Sequence, residues 1–146
     1  MFRKIPEVKV NCKVNNMFCG KCCYGTEMIL TIDDLLAIIN LGYDIKYFSV
    51  FRNGFVRLRN VDGHCVFLDP SSNKCKIYSA RPIGCKLYPL MYDPEANKVV
   101  IDRLCPKSRT LRLTDDEELY YKNVFKLILK RAKEANNFYL RYGSIS

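Results

Sequence analysis

Apolar and polar positions divide the chain into several short elements followed by one long one. Glu27 to Leu30 predicts a short strand. Thr31 then stands as an N-cap with Asp34 three positions on, and Leu35, Leu36, Ile38, Ile39 and Leu41 follow until Gly42 ends the pattern; a helix is expected over about 32–41. Asp44 to Val50 predicts a further helical turn or two. Phe55-Val56-Arg57-Leu58-Arg59 alternates apolar and basic residues, as a half-buried strand does. Cys65 to Leu68 and Lys74 to Tyr78 flank the turn-rich Asp69-Pro70-Ser71-Ser72-Asn73 and predict a hairpin that brings Cys65 and Cys75 near each other. Leu87 to Tyr92 and Lys98 to Asp102, on either side of Asp93-Pro94-Glu95-Ala96-Asn97, predict a second.

The long element begins at Thr114-Asp115-Asp116-Glu117, a capping box whose acidic first turn suits the positive end of a helix dipole. Tyr121, Phe125, Ile128, Ala132, Ala135, Tyr139 and Tyr142 then recur at spacings of four and three, and Gly143 supplies a stop. A helix over 114–142 would run roughly 40 Å, enough to pack across a whole domain or to project toward a partner. Core contact is the favoured use of its apolar stripe, since the heptad lasts only three repeats.

Length and composition make this one domain, 1–146: its 146 residues, 49% hydrophobic, suffice for one core and are few for two. No apolar run approaches the roughly eighteen residues of a membrane span, and no apolar stretch follows the basic N-terminal residues to make a signal peptide, which predicts a cytoplasmic chain without a membrane partner. Formal charge is +9, from 24 Lys and Arg against 15 Asp and Glu, and favours an anionic partner without choosing among nucleic acid, an acidic protein and a phosphorylated ligand.

A reducing compartment changes how the eight cysteines are read, because clustered thiols there more often ligate metal than form disulfides. Cys19-Gly20-Lys21-Cys22-Cys23 holds a C-x2-C pair, whose tight turn lets both sulfurs face one ion and is eased by Gly20. Cys65, Cys75 and Cys85 follow at ten-residue intervals, and Cys105-Pro106 closes the series. Neighbouring side chains of an extended segment diverge, so Cys22 and Cys23 suit one tetrahedral ion poorly and a multi-iron cluster or two metals better. Such an excess of soft thiolates favours zinc or iron–sulfur, with a [4Fe–4S] cluster preferred. Lys13, Lys21, Lys74, Lys76, Lys86 and Lys107 all lie within two residues of a cysteine, where they either offset thiolate charge or are solvated loop lysines. His64, the sole histidine, is read as a polar turn residue ahead of a ligand or proton carrier.

Cys19-x2-Cys22-Cys23, Cys65 and Cys75-Lys76-Ile77-Tyr78-x2-Arg81-Pro82-x2-Cys85-Lys86-x-Tyr88-Pro89 together resemble the CxxCxxCC family, the zinc- or iron-chelating cluster domain of the YkgJ type, over about residues 16–106. The resemblance implies a bound metal cluster held by Cys19, Cys22, Cys23, Cys65, Cys75, Cys85 and Cys105; a similar domain occurs in flagellin lysine N-methylases. The family name places a cysteine where this chain has Asn16, and Cys12 lies four residues upstream. Either Cys12 takes that place through a longer loop, or the site has one ligand fewer, with Asn16 near the metal. Arg81 could donate to cluster sulfur or to a partner carboxylate, or pin a loop to backbone carbonyls; Pro82 suits a helix's first turn or a rigid corner, and Gly84 a close backbone approach or a plain turn.

The expectation is an α+β, small cysteine-rich metal-binding domain with short hairpins and short helices, its core at 12–106 clasped by the helix at 114–142. An electron carrier or cluster-dependent accessory factor with an unidentified protein or redox partner needs only what these residues offer. A small enzyme related to lysine N-methylases has thin support, because the chain holds no G-x-G pair, no Ser–His–Asp pattern and no H-E-x-x-H. A zinc protein binding nucleic acid is the third reading, resting on Lys122, Lys126, Lys130 and Lys133 at helical spacing on a helix that also carries tyrosines and phenylalanines between 122 and 142.

Overall fold

The computed structural model describes residues 13–14, 17–18, 27–102 and 111–143. Element order is β1 (Lys13–Val14), β2 (Met17–Phe18), α1 (Ile32–Asn40), α2 (Ile45–Phe48), β3 (Ser49–Arg52), β4 (Phe55–Leu58), β5 (Asn60–Val61), β6 (His64–Cys65), β7 (Leu68–Asp69) and β8 (Lys74–Cys75). A 3-10 turn (Tyr78–Ala80), α3 (Ile83–Leu87), β9 (Leu90–Asp93), β10 (Lys98–Ile101), α4 (Asp115–Phe138) and a π turn (Tyr139–Gly143) complete it. Short helices and antiparallel two-stranded ribbons, three of them in succession after α2, precede a long helix, so the architecture is α+β.

Local chemistry explains most boundaries. Thr31 caps α1 with its hydroxyl on the Asp34 N–H, while the Asp34 carboxylate takes the Thr31 N–H; Thr114 and Glu117 repeat this reciprocal arrangement at α4. Gly42, at φ +101°, takes the left-handed conformation that ends α1. Asp44 caps α2, but only Ile45–Phe48 are helical, because Ser49–Arg52 turn into β3 and pair with β4. Asn53-Gly54 joins those strands with φ of +51° and +83°, the two-residue turn whose twist matches that of the strands. Asp62-Gly63, at +52° and +84°, does the same for β5 and β6.

The strand expected at 27–30 is a short extended segment along the free edge of β4, with Leu30 N–H on the Val56 carbonyl and Leu58 N–H on the Met28 carbonyl, each 2.8 Å. The first expected hairpin is narrower and differently placed: Leu68 pairs with Cys75 and Asp69 with Lys74, whereas Cys65 belongs to the preceding ribbon, opposite Asn60. Asn73, at φ +57°, and the Asp69 carboxylate, which accepts the Ser71 N–H at 3.0 Å, close that tight turn. In the second hairpin Leu87 ends α3 and the paired residues are Leu90–Asp93 and Lys98–Ile101.

Among the described residues, two apolar clusters form the core. The first gathers Leu30, Leu35, Ile38, Phe48, Val56, Leu58, Phe67 and Ala135; the second gathers Ile83, Leu87, Leu90, Val99, Val124, Phe125 and Ile128. Since α4 contributes to both, its stripe is core contact, with buried residues from Val124 to Ala135 covering about 18 Å of a helix about 36 Å long. Polar contacts fix its position: Asn136 accepts the Val56 N–H at 3.2 Å and donates to the Gly54 carbonyl at 2.8 Å, while Glu118 accepts the Val99 N–H at 3.1 Å. Arg131 forks onto both Asp33 oxygens of α1, at 3.0 and 2.9 Å.

Candidate metal centre

Three of the expected ligands lie among the described residues, each on a different element. Cys65, on β6, is 4% exposed and belongs to the first core cluster; Cys75, on β8, and Cys85, on α3, are half-buried and pack against that same cluster. They are not crosslinked to one another. Cys12, Cys19, Cys22, Cys23 and Cys105 lie outside the described residues, as do Asn16, Lys21 and Lys107.

The Cys65 position follows from the Asp62-Gly63 turn, which fixes the register of β5 on β6. Cys75 is set by the Asp69 turn and by the Lys76 N–H on the Phe67 carbonyl at 2.7 Å. Cys85 is placed by a helix wedged between the clusters. Ile83 and Leu87, four residues apart, face the second cluster, and Cys85, on the opposite side of α3, faces the first. Pro82 precedes α3 as its cap, and Asp34 of α1 accepts the Ile83 N–H at 3.1 Å. A single carboxylate thereby closes the α1 capping box and holds the cysteine-bearing helix, a role invisible in the capping motif alone. Gly84 permits the close approach of Met28, whose Sδ would lie 2.4 Å from a Cβ there.

Burial pushes the Asp34 carboxyl up to about 6 despite the hydrogen bonds it accepts from Thr31 and Ile83. The hydrogen bonds from Arg131 hold neighbouring Asp33 below its ordinary range. Lys74 and Lys76, flanking Cys75, are exposed, and Lys86, beside Cys85, is half-buried. Arg81 donates to the Tyr78 carbonyl at 2.7 Å and lays its guanidinium 3.9 Å from the centroid of the Tyr78 ring, a loop-pinning contact. Nδ1 of half-buried His64 lies 2.9 Å from the Cys65 carbonyl oxygen.

Among the described residues no three His, Cys, Asp or Glu side chains stand close enough to hold an ion by themselves. Thiolate sulfur is nevertheless the donor that zinc and iron–sulfur groups take, and Cys65 lies in one core cluster with Cys75 and Cys85 packed against it. Asn60, directly opposite Cys65, buries its Oδ1 with no hydrogen-bond partner. The Asp-Gly turn that sets this register was the sequence signal for Asn60.

On α4, Lys126, Lys130 and Lys133 are exposed on the side away from the buried stripe, whereas Lys122 is half-buried and pairs with Glu118 at 3.7 Å. No helix among the described residues is long and apolar enough to cross a membrane.

The sequence model of the CxxCxxCC family, described as a "Putative zinc- or iron-chelating domain", matches residues 11–106. An uncharacterized protein of Methanocaldococcus jannaschii is 35% identical over 89 residues, which cover 57% of this chain. The match covers 48% of that relative, so the chain spans about half its length. No solved structure matches the chain.

Proposed function

Because the chain belongs to the CxxCxxCC family, we propose that it is a cytoplasmic iron–sulfur protein that serves electron transfer or acts as a cluster-dependent accessory factor. The supporting observation is that one core cluster contains Cys65 and has Cys75 and Cys85, from two other elements, packed against it. Cys19, Cys22, Cys23 and Cys105 are the further thiolates this reading recruits, with Cys12 in reserve. A bound [4Fe–4S] cluster supplies one-electron redox chemistry. The chain's own part is to bring the sulfurs together, keep water from Cys65, and hold α3 through Asp34. Lys74, Lys76 and Lys86 offset the charge of the thiolates.

Anaerobic purification followed by metal and acid-labile sulfide analysis tests the proposal. Equimolar iron and sulfide is the expected result. Zinc without sulfide would replace the redox reading with a structural one, and a chain free of both would overturn it.

The exposed Lys126, Lys130 and Lys133 favour a second reading, in which the outer face of α4 binds nucleic acid. Affinity for a single-stranded RNA should then fall steeply with salt, and changing the three lysines to glutamine should flatten the log–log salt dependence by about 2–3. An unchanged slope would remove this reading.

A further inference from the structure

We infer that Asn60 is a positioning residue of the metal centre, its side-chain amide donating a hydrogen bond to the metal-bound thiolate of Cys65. The inference rests on the reading of Cys65 as a ligand. It starts from the ribbon of β5 and β6, where Asn60 is paired with Cys65 and Val61 with His64 across the Asp62-Gly63 turn. In a two-residue hairpin the residues flanking the turn exchange both backbone hydrogen bonds, so the next pair outward has none between its members and brings its side chains closest, with Cβ atoms about 4.5–5.5 Å apart. The Val66 N–H on the Arg59 carbonyl, at 2.9 Å, closes the ladder beyond that pair and fixes Asn60 and Cys65 as the close one. The amide and the sulfur therefore share one face of the ribbon, and that face is turned into the protein, since Cys65 is buried in the first core cluster.

The Asn60 Oδ1 is buried and accepts no hydrogen bond. Buried amide oxygens are seldom left so, and an exception calls for a partner the polypeptide itself does not supply. An amide has a donor end and an acceptor end of nearly equal size, and rotation of its terminal torsion exchanges them. With the nitrogen turned inward, Asn60 meets the Cys65 sulfur as an N–H donor. That arrangement suits a metal-bound thiolate, which has lone pairs to offer. A hydrogen bond to a ligating sulfur draws electron density from it, which favours the reduced state of an iron–sulfur cluster and lowers the nucleophilicity of a zinc-bound thiolate.

The test uses the full chain, purified anaerobically, as wild type, Asn60→Leu, Asn60→Asp and Cys65→Ser. Metal and sulfide per chain are measured first, then the midpoint potential of the iron form by optical redox titration, or the iodoacetamide alkylation rate of Cys65 in the zinc form, read by peptide mass mapping. Expected is retention of metal in Asn60→Leu with a potential lowered by about 59 mV, a tenfold change in the reduced-to-oxidised ratio of a one-electron couple, or alkylation several-fold faster. Asn60→Asp, which keeps the shape, removes the amide donor and adds a negative charge, should shift the same way, and an unshifted value in it overturns the role of Asn60 if the leucine variant does not fold. Wild-type potential and alkylation rate in a metal-loaded Asn60 variant would overturn the role of Asn60 while leaving the metal reading intact. A Cys65→Ser protein with full metal content and an unchanged spectrum would instead remove Cys65 from the ligands, and the inference with it.

Discussion

Raising the pH through the weakly acidic range should cost this protein stability at one carboxyl. Asp34 is lifted from 3.8 to about 6, with burial as the main cause, while the N–H groups of Thr31 and Ile83 pull it back and the charge of Asp33 adds slightly to the rise. The folded state therefore binds this proton more tightly than the unfolded chain does. The stabilisation is fully present below about 3.8 and is lost as pH climbs through about 6. At about 1.4 kcal/mol per pH unit the difference amounts to about 3 kcal/mol at most, of which about 2 kcal/mol falls between about pH 4 and pH 7. Urea unfolding of the wild type and of Asp34→Asn across that range isolates it, because both proteins share every other titrating group. Asparagine sets an N–H against one of the two donors and loses about 1–3 kcal/mol, but at every pH alike. The wild type's advantage over the variant should shrink by about 2 kcal/mol on going to neutral pH, a change of about 1 M in urea midpoint. A constant advantage, or one that grows with pH, would mean that the two backbone donors outweigh burial and that the carboxyl lies at or below its ordinary value.

Other expectations concern how α4 is fastened and how metal is held. A double-mutant cycle on Arg131 and Asp33 should give a coupling of about 0.5–1 kcal/mol that falls in high salt, since the pair is bidentate but partly exposed. Ala135 is fully buried in the first cluster, so Ala135→Leu should lower stability by about 1–3 kcal/mol in chemical denaturation. Asn136→Ala leaves the Val56 N–H and the Gly54 carbonyl without their partner and should cost about 1–2 kcal/mol in the same assay. Removing metal with a chelator should lower the melting temperature of the purified protein, and restoring metal should recover it; equal melting temperatures would separate metal binding from folding.

Helix starts were legible because the chemistry of a capping box is local. Thr31 with Asp34 and Thr114 with Glu117 close the reciprocal bonds their spacing predicts, and the stripe from Tyr121 to Ala135 meets the core as its period implies. The ribbon of β3 and β4 is only half visible in the sequence. Its first strand buries Ser49 alone and exposes Phe51, so no apolar alternation marks it, although Asn53-Gly54 is a strong hairpin turn. The ribbon closed by Asp62-Gly63 likewise leaves no trace in the hydrophobic pattern, because strands of two residues are too short to show a period. The cysteines could be counted and spaced from sequence, but not the wedging of α3, which depends on Ile83 and Leu87 meeting one cluster while Cys85 meets the other. Nor could spacing reveal that Asp34, committed to its own helix cap, has a second oxygen for Ile83.

The sheet topology bears on what metal must do here. Two-stranded ribbons are marginal in water without further packing, and the ribbons carrying Cys65 and Cys75 are each two residues long per strand. Neither shares a sheet with the other, and Cys85 sits on a five-residue helix. The apolar flanks of the three cysteines, Phe67, Leu68, Ile77 and Leu87, are buried and anchor the segments to the two clusters. Among the described residues, the Cys75 strand pairs with the segment just after Cys65, but no strand pairing joins α3 to either ribbon. If these three cysteines are ligands, as proposed, a metal centre bridging them would add a cross-connection between the segments, and its binding free energy would become free energy of folding for this part of the chain. Local opening on metal removal should therefore be greatest at β6, β8 and α3, while α1 and α4, joined by Arg131 and Asp33, keep their protection. Hydrogen exchange of the metal-loaded and metal-free protein would expose that contrast, and uniform loss of protection along the chain would show that the two parts unfold as one.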